Sequence, residues 1–325
     1  MIAMKRLNVI KMYRKTGISP LIFLLLFLGG CKEFIEPSID KKQVTLLAPS
    51  AGTESVLYAQ TFWWEEVEDA LKYRLQVVSP DFLKASRLVL DTLVTGNRFN
   101  FTLDPGTYEW RVRAENGSSQ TLYTTANFVI YPSSIKTQQP QLQTPAAGLI
   151  TAVSNTQFSW LKLYGATQYH LQVDTNNFAD DKVLFADQTT PNLQYTVPLT
   201  KDKIYQWRVK AVNDTAESKW SIVQQVIYDS TPPAQVVLSL PASNSVVSSP
   251  VSLSWTSTAT AAKYQLYIYR NEQGTLYNST FPLTLTATSY SFTGQLGEKI
   301  YWQIRAIDAV GNVGAMSEIR NFSIQ

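Results

Sequence analysis

The sequence predicts an all-β chain made of three tandem antiparallel β-sandwiches behind an export leader. Three observations carry this. A set of anchor residues recurs three times at a spacing of 95 to 96 residues. The anchors sit in segments that alternate apolar and polar residues, the period of a strand with one buried face. Turn formers, among them Asp104-Pro-Gly106, Asn116-Gly117 and Asp308-Ala-Val-Gly311-Asn312, separate the segments. A composition of 45% hydrophobic and 12% aromatic residues is too apolar for a disordered chain, and 325 residues exceed what one core usually serves.

The first element is the leader, residues 1–30. It holds Lys5, Arg6, Lys11, Arg14 and Lys15 and no acid, then the apolar run Leu21-Ile-Phe-Leu-Leu-Leu-Phe-Leu28, then Gly29-Gly30-Cys31. A basic start, a short apolar stretch and small residues before a cleavage point mark a secretory signal. The run is shorter than the roughly 20 residues a spanning helix needs. Met1, Met4 or Met12 would serve as its start. Leu28-Gly29-Gly30-Cys31 resembles the lipobox of bacterial lipoproteins. The resemblance implies cleavage before Cys31, the only Cys of the chain, and acyl groups on it that hold the mature protein to a membrane. No cofactor is expected beyond that lipid, and no metal. Lys32 stands where an inner-membrane retention signal has Asp, which implies an outer-membrane lipoprotein, periplasmic or surface-exposed. Cys31-Lys32-Glu33, with Glu36, partly resembles the surface-export signal of Bacteroidetes lipoproteins.

Residues 31–43 read as a polar tether, reaching at most about 40 Å when extended. Units follow over residues 44–134, 139–230 and 234–325. Each opens on a turn motif: Leu46-x-x-Pro49-x-x-Gly52, Leu142-x-x-Pro145-x-x-Gly148 and, with Asn for Gly, Leu238-x-x-Pro241-x-x-Asn244. Next come Phe62-Trp-Trp64, Phe158-Ser-Trp160 and Leu253-Ser-Trp255, each with a Tyr nine residues after the last Trp: Tyr73, Tyr169 and Tyr264. Late in each unit stand Trp110-Arg-Val112-Arg-Ala114, Trp207-Arg-Val209-Lys-Ala211 and Trp302-Gln-Ile304-Arg-Ala306.

These units resemble fibronectin type III domains and the similar bacterial immunoglobulin-like modules. In that family an early strand carries an inward Trp and a late strand reads Tyr-x-apolar-x-Val-x-Ala, as Tyr108 to Ala114 and Tyr205 to Ala211 do. Leu103 with Tyr108, and Leu199 with Tyr205, resemble the family's tyrosine corner, in which the phenol OH caps backbone at the sandwich end. The third unit departs from it, with Ile300 in place of the Tyr. Between units, Tyr131 to Pro140 and Asp229 to Ala234 read as linkers, and Pro232-Pro233 favours stiff extended backbone and a rod-like array.

Catalytic patterns are sparse. Triad or Cys–His chemistry would need His170 as base, but its phase places it outward on a strand where the other units have Arg74 and Gln265. Glu65, Glu66, Glu68 and Asp69 cluster in one turn of the first unit, without counterparts in the others, and read as a solvated turn rather than a glycosidase pair. Asp174-Thr-Asn-Asn177 with Asp180 and Asp181 offers oxygen ligands for calcium without EF-hand spacing, and reads as a polar hairpin with calcium as the alternative. No phosphate-binding glycine loop or zinc spacing appears. The chain is therefore read as non-enzymatic.

Sorting the tryptophans leaves one candidate contact. Trp64, Trp110, Trp160, Trp207, Trp255 and Trp302 fall on repeated core positions, and Trp220 on a repeated position shared with Tyr123. Trp63 is out of phase with Phe62 and Trp64, and its counterparts are Ser159 and Ser254. It is predicted to point outward, for ligand or partner contact or for packing between domains. Asp91-Thr92-Leu93 and Asp214-Thr215-Ala216 resemble the Asp-(Ser/Thr)-apolar sites at which Bacteroidetes O-glycosylate exported proteins, implicating Thr92 and Thr215.

The reading is a lipid-anchored envelope protein that binds or scaffolds, through protein interaction or adhesion. A glycan-binding surface lipoprotein of a polysaccharide-uptake system is the alternative, and an enzyme accessory subunit a third. Partners are the membrane, another envelope protein or a glycan. Nucleic acid is not among them: the leader holds five of the 28 basic residues and none of the 25 acids, so the apparent charge of +3 becomes −2 in the mature chain.

Overall fold

The computed structural model describes residues 36–325. They fold into three fibronectin type III-like sandwiches, each a three-stranded sheet facing a five-stranded one. In unit 1 the smaller sheet orders Leu46–Ala48, Ala59–Trp64 and Arg98–Thr102. The larger orders Thr53–Ser55, Thr124–Ile130, Gly106–Glu115, Lys72–Ser79 and Arg87–Val94. Units 2 and 3 repeat both orders. One feature departs from the antiparallel expectation. The first edge strand of each larger sheet runs parallel to the last strand of its unit, as Thr53–Ser55 does along Phe128–Ile130.

Alternation in sequence becomes alternation in burial. Along Gly106–Glu115, Tyr108, Trp110, Val112 and Ala114 are buried and the residues between them partly exposed. The repeated Trp and the Tyr nine residues later meet in the core, with ring centroids 5.4 Å apart for Trp64–Tyr73, 5.6 Å for Trp160–Tyr169 and 5.7 Å for Trp255–Tyr264. Each phenol oxygen accepts a turn N–H six residues upstream, from Val67 at 2.8 Å, Leu163 at 2.9 Å and Thr258 at 3.1 Å. A Phe would fill the space but leave that buried donor without a partner. Burial raises the pKa of Tyr73 and Tyr169 above the ordinary phenol value, so both remain protonated at neutral pH.

The opening turn motif also has a physical reason. Gly52, Gly148 and Asn244 have φ of 78°, 75° and 61°, the left-handed region that Gly enters freely and Asn tolerates. Each donates its backbone N–H across to the last strand, to Asn127, Gln225 and Asn321 respectively. Two tyrosine corners form as the resemblance implied. Tyr108 donates to the Asp104 carbonyl at 2.8 Å and Tyr205 to the Lys201 carbonyl at 2.9 Å. In unit 3, where Ile300 is buried, the carboxylate of Glu298 closes the same corner. It accepts the Gln295 N–H at 2.7 Å and the Tyr277 hydroxyl at 3.0 Å.

The tether expected over residues 31–43 is corrected over its described part, which belongs to unit 1. Ile39 is fully buried, and its N–H donates to Ser119 Oγ at 2.9 Å. Asn116 Nδ2 donates to the Pro37 carbonyl at 2.9 Å, and Lys42 Nζ reaches Asp69 Oδ2 at 3.0 Å and Glu68 Oε2 at 3.3 Å. Residues 36–43 thus form a lead-in seated across the loops at one end of the sandwich. Its signal is present in the sequence: Ser38-Ile39 and Gln43 lie 96 residues before Ser134-Ile135 and Gln139. Ile135 is buried in the same manner, so the first linker is a second lead-in that folds into a short 3-10 turn, Ile135–Thr137, and not an extended spacer.

Units 1 and 2 share one continuous buried cluster, while unit 3 has its own. At the first junction Tyr58 donates its N–H to Gln138 Oε1 at 2.9 Å and its hydroxyl to the Ser133 carbonyl at 3.0 Å. At the second, Asp202 accepts the N–H and hydroxyl of Ser230 and the hydroxyl of Thr231. Asn312 Nδ2 donates to the Asp229 carbonyl at 3.0 Å. Gly314 is required there because a Cβ would stand 2.6 Å from the Pro233 carbonyl oxygen.

Candidate functional site

Leu28, Gly29, Gly30 and Cys31, the lipobox and attachment residues, lie outside the described residues. Trp63 lies within them, on strand Ala59–Trp64 of the smaller sheet of unit 1. Phe62 and Trp64 are buried on either side, so the pleat turns Trp63 to the outer face, where it is partly exposed. Arg98 is its cross-strand partner, and the guanidinium carbon lies 4.2 Å from the indole centroid. The cation–π contact fixes the ring on the sheet. Ser159 and Ser254, at the same position, engage their own units instead: Ser159 shares a hydrogen bond with Thr144 and Ser254 accepts the Leu240 N–H.

Two residues before Trp63 on the same face stands Thr61, whose hydroxyl donates to Asn100 Oδ1 at 2.8 Å. From this pair the face runs into a groove of about 330 Å³ where units 1 and 2 meet. Its walls come from three stretches: the outer face of unit 1, the linker residues Gln139 to Leu142, and Ile222 with Gln224 of unit 2. No lining residue is charged. Gln141 spans the junction, donating to the Asn100 carbonyl at 2.8 Å and accepting from Thr102 Oγ1 at 3.1 Å. Gln139 Nε2 donates to the Trp220 carbonyl at 2.7 Å. Gln224 Oε1 has no hydrogen-bond partner in the protein. Sequence reasoning missed this groove, because its residues are ordinary linker and strand-edge amides that only the junction assembles.

The larger sheets present a different surface. In unit 1 Arg111 lies between Phe82 and Tyr123, 4.0 and 4.2 Å from their centroids. In unit 2 Arg208 lies between Phe178 and Trp220 at 4.1 and 4.3 Å, with Lys210 also on Trp220 at 4.8 Å. Trp220 and Tyr123 therefore pack outside the sheets, which corrects the sorting that left Trp63 as the one outward aromatic. Each guanidinium also donates to a Gln of the neighbouring strand, Gln76 or Gln172, so these ladders satisfy themselves. The basic residues of the Trp-Arg-Val-Arg/Lys-Ala repeats are clamps over the sheet.

His170 belongs to the ladder of unit 2. Its Nε2 contacts Asp187 Oδ1, and its ring lies 5.3 Å from that of Trp220. At the same positions in unit 1, Arg74 pairs with Asp91 at 2.5 Å. Within the acidic turn, Glu68 and Asp69 hold Lys42 of the lead-in. Their hydrogen bonds, from Asp69 first, raise the Lys42 pKa against partial desolvation. Asp174 is buried and accepts the N–H groups of Asn176 and Phe178, so its carboxylate closes a hairpin. Among the described residues no group of three or more His, Cys, Asp or Glu is placed to hold a metal. Thr215 lies exposed in the turn after Val212, bonded to Asn213 Oδ1. Thr92 is half-buried on edge strand Arg87–Val94, opposite Leu75.

No protein-family profile and no curated protein matches the sequence. Among solved structures the chain is similar to the FN1–FN3 domains of chicken CNTN1, at 15% identity and a TM-score of 0.37, over 87% of this chain and 98% of that one. It is also similar to the fibronectin(III)-like modules of Clostridium thermocellum CbhA, at 14% identity and a TM-score of 0.36, over 57% of this chain and 94% of that one. The fibronectin type III-like assignment of the three units rests on their own repeated strand orders and corners.

Proposed function

We propose that this chain is a non-enzymatic binding and scaffold module of a bacterial cell envelope, tied by a lipid on Cys31 to the outer membrane and engaging an envelope protein or a glycan there. The observation that carries the reading is the seated lead-in. In unit 1 the loops that sandwich domains often use for recognition are occupied by residues 36–43, directly downstream of the lipobox-like Leu28 to Cys31. In unit 3 the turn residue Asn312 donates to the linker carbonyl of Asp229 in the same way, and in unit 2 the linker carbonyl of Gln138 accepts the Lys219 N–H at 3.0 Å. That leaves the outer sheet faces and the junctions to meet a partner. An adhesive or scaffolding role needs no more than this: one end fixed, and surfaces held at set distances from it.

Metabolic labelling with an alkynyl fatty acid tests the anchor. Full-length protein is expected to carry the label and sediment with membranes, and a Cys31→Ala variant to lose both properties. Labelling that persists in the variant would sink the anchor. Pull-down from native membranes through a C-terminal tag then names the partner. The glycan alternative is favoured by one observation of its own, the uncharged groove beside Trp63, developed next.

A further inference from the structure

We propose that the groove between units 1 and 2, continued along the outer face of unit 1 to Trp63, binds a neutral glycan chain. The proposal rests on the reading of the protein as a binding module, but not on its lipid anchor.

Three properties of the surface select this ligand. The groove carries no charged side chain, whereas the neighbouring cleft of about 260 Å³ on another side of the same junction is lined by Arg87, Asp104 and Lys162. A charged polymer would leave its ionic groups unpaired in the groove. The polar groups there are amides, and several have capacity left. The Asn100 and Gln224 amide nitrogens and the Gln139 carbonyl oxygen are not consumed by hydrogen bonds within the protein, whereas Gln224 Oε1 is buried. An amide offers donors and acceptors together, which suits hydroxyls that can both give and take a hydrogen bond. Beside the amides stand the exposed apolar side chains of Ala59 and Ile222, which suit the C–H faces of a pyranose ring.

The aromatic platform extends the site. Thr61 and Trp63 are two residues apart on one strand face, about 7 Å along the sheet, so a chain leaving the groove passes onto the indole. Arg98, the charged side chain at this end of the site, is engaged over that ring and fixes it before any ligand arrives, which lowers the entropic cost of a contact with the indole. The groove is only partly enclosed, so a chain bound in it can continue onto the neighbouring sheet face.

The test uses the full-length protein in detergent micelles, with affinity electrophoresis followed by calorimetry. The probes are soluble β-glucan, galactomannan, xyloglucan and dextran, with polygalacturonate as the anionic control and carboxymethylated casein as an unfolded polypeptide. At least one neutral polysaccharide is expected to bind and polygalacturonate not to. Trp63→Ala, and separately Asn100→Ala with Gln224→Ala, should each weaken that binding by about tenfold. Leu122→Ala, at an exposed residue outside the groove lining, should leave it unchanged. The amide pair keeps the test valid should the Trp63 variant fold poorly. Failure of every neutral polysaccharide to bind overturns the proposal, as does binding indifferent to both sets of variants. Binding of casein alone, abolished by the same variants, also overturns it in favour of a polypeptide ligand. None of these results touches the anchor, which fatty-acid labelling tests separately.

Discussion

At the scale of single residues, the repeated tyrosines act through their hydroxyls. Tyr205 both donates to the Lys201 carbonyl and accepts the Lys201 N–H at 3.2 Å, whereas Tyr108 makes the donated bond without that second backbone bond. Tyr205→Phe is therefore expected to destabilise its unit by about 1 kcal/mol, and Tyr108→Phe by less. Urea unfolding checks this, and equal costs would show that the second bond contributes nothing. The two corners were legible because a Leu, a spacing and a Tyr specify them locally. The corner of unit 3 was not, because Tyr277 stands 21 residues before the Glu298 it bonds. A carboxylate reached from another strand leaves no local pattern. Trp220 was misplaced for a related reason: its repeat position was visible, but not that Arg208 and Lys210 would draw it outside the sheet. Periodicity assigns strand residues to faces, and Trp220 lies in an irregular stretch beyond the strand.

At the scale of elements, strands were readable because the side-chain period of two survives any tertiary context, and the triple repeat multiplied each weak signal. The lead-in escaped because most of residues 36–43 are polar or charged, and one buried Ile among them resembles noise until Ile135 is set beside it. Ile39 makes the sharpest test of its docking. Truncation of a fully buried Ile costs about 2–5 kcal/mol in a rigid core. A short segment able to relax should lie at the lower end, so Ile39→Ala is expected to destabilise unit 1 by about 2 kcal/mol. Hydrogen exchange should accelerate at the Ile39 amide, which bonds to Ser119. A variant as stable and as protected as the parent would restore the free tether. The same element explains the acidic turn at Glu68 and Asp69. These residues have no counterparts in the other units because only the first lead-in brings Lys42 to them.

At the scale of the whole molecule, the continuous core of units 1 and 2 and the separate core of unit 3 predict two calorimetric transitions rather than one or three. Acid should act on the second. Burial opposes ionisation of Asp308, but hydrogen bonds from Asn312, Gly311 and Val310 outweigh it and hold the carboxyl below its ordinary range. A carboxyl whose folded pKa is depressed gives stability above its unfolded pKa, near 4, and loses it as the pH falls through the folded value. The transition of unit 3 should therefore move to lower temperature below about pH 4, and Asp308→Asn should blunt that dependence. A pH response unchanged in the variant would exclude Asp308 as its source. The groove was the least legible part of the molecule, since its walls come from two units and a linker and exist only once the junction closes. The lead-in also bears on mechanics. A pull between the N-terminus and a partner bound further along would load residues 36–43 first, in an unzipping direction, breaking the bonds of Pro37, Ile39 and Lys42 one after another. Eight released residues lengthen the chain by at most about 28 Å while the strands of unit 1 stay paired. With the anchor proposed above at Cys31, the segment that holds the sandwich close to it at rest would also be its shock absorber.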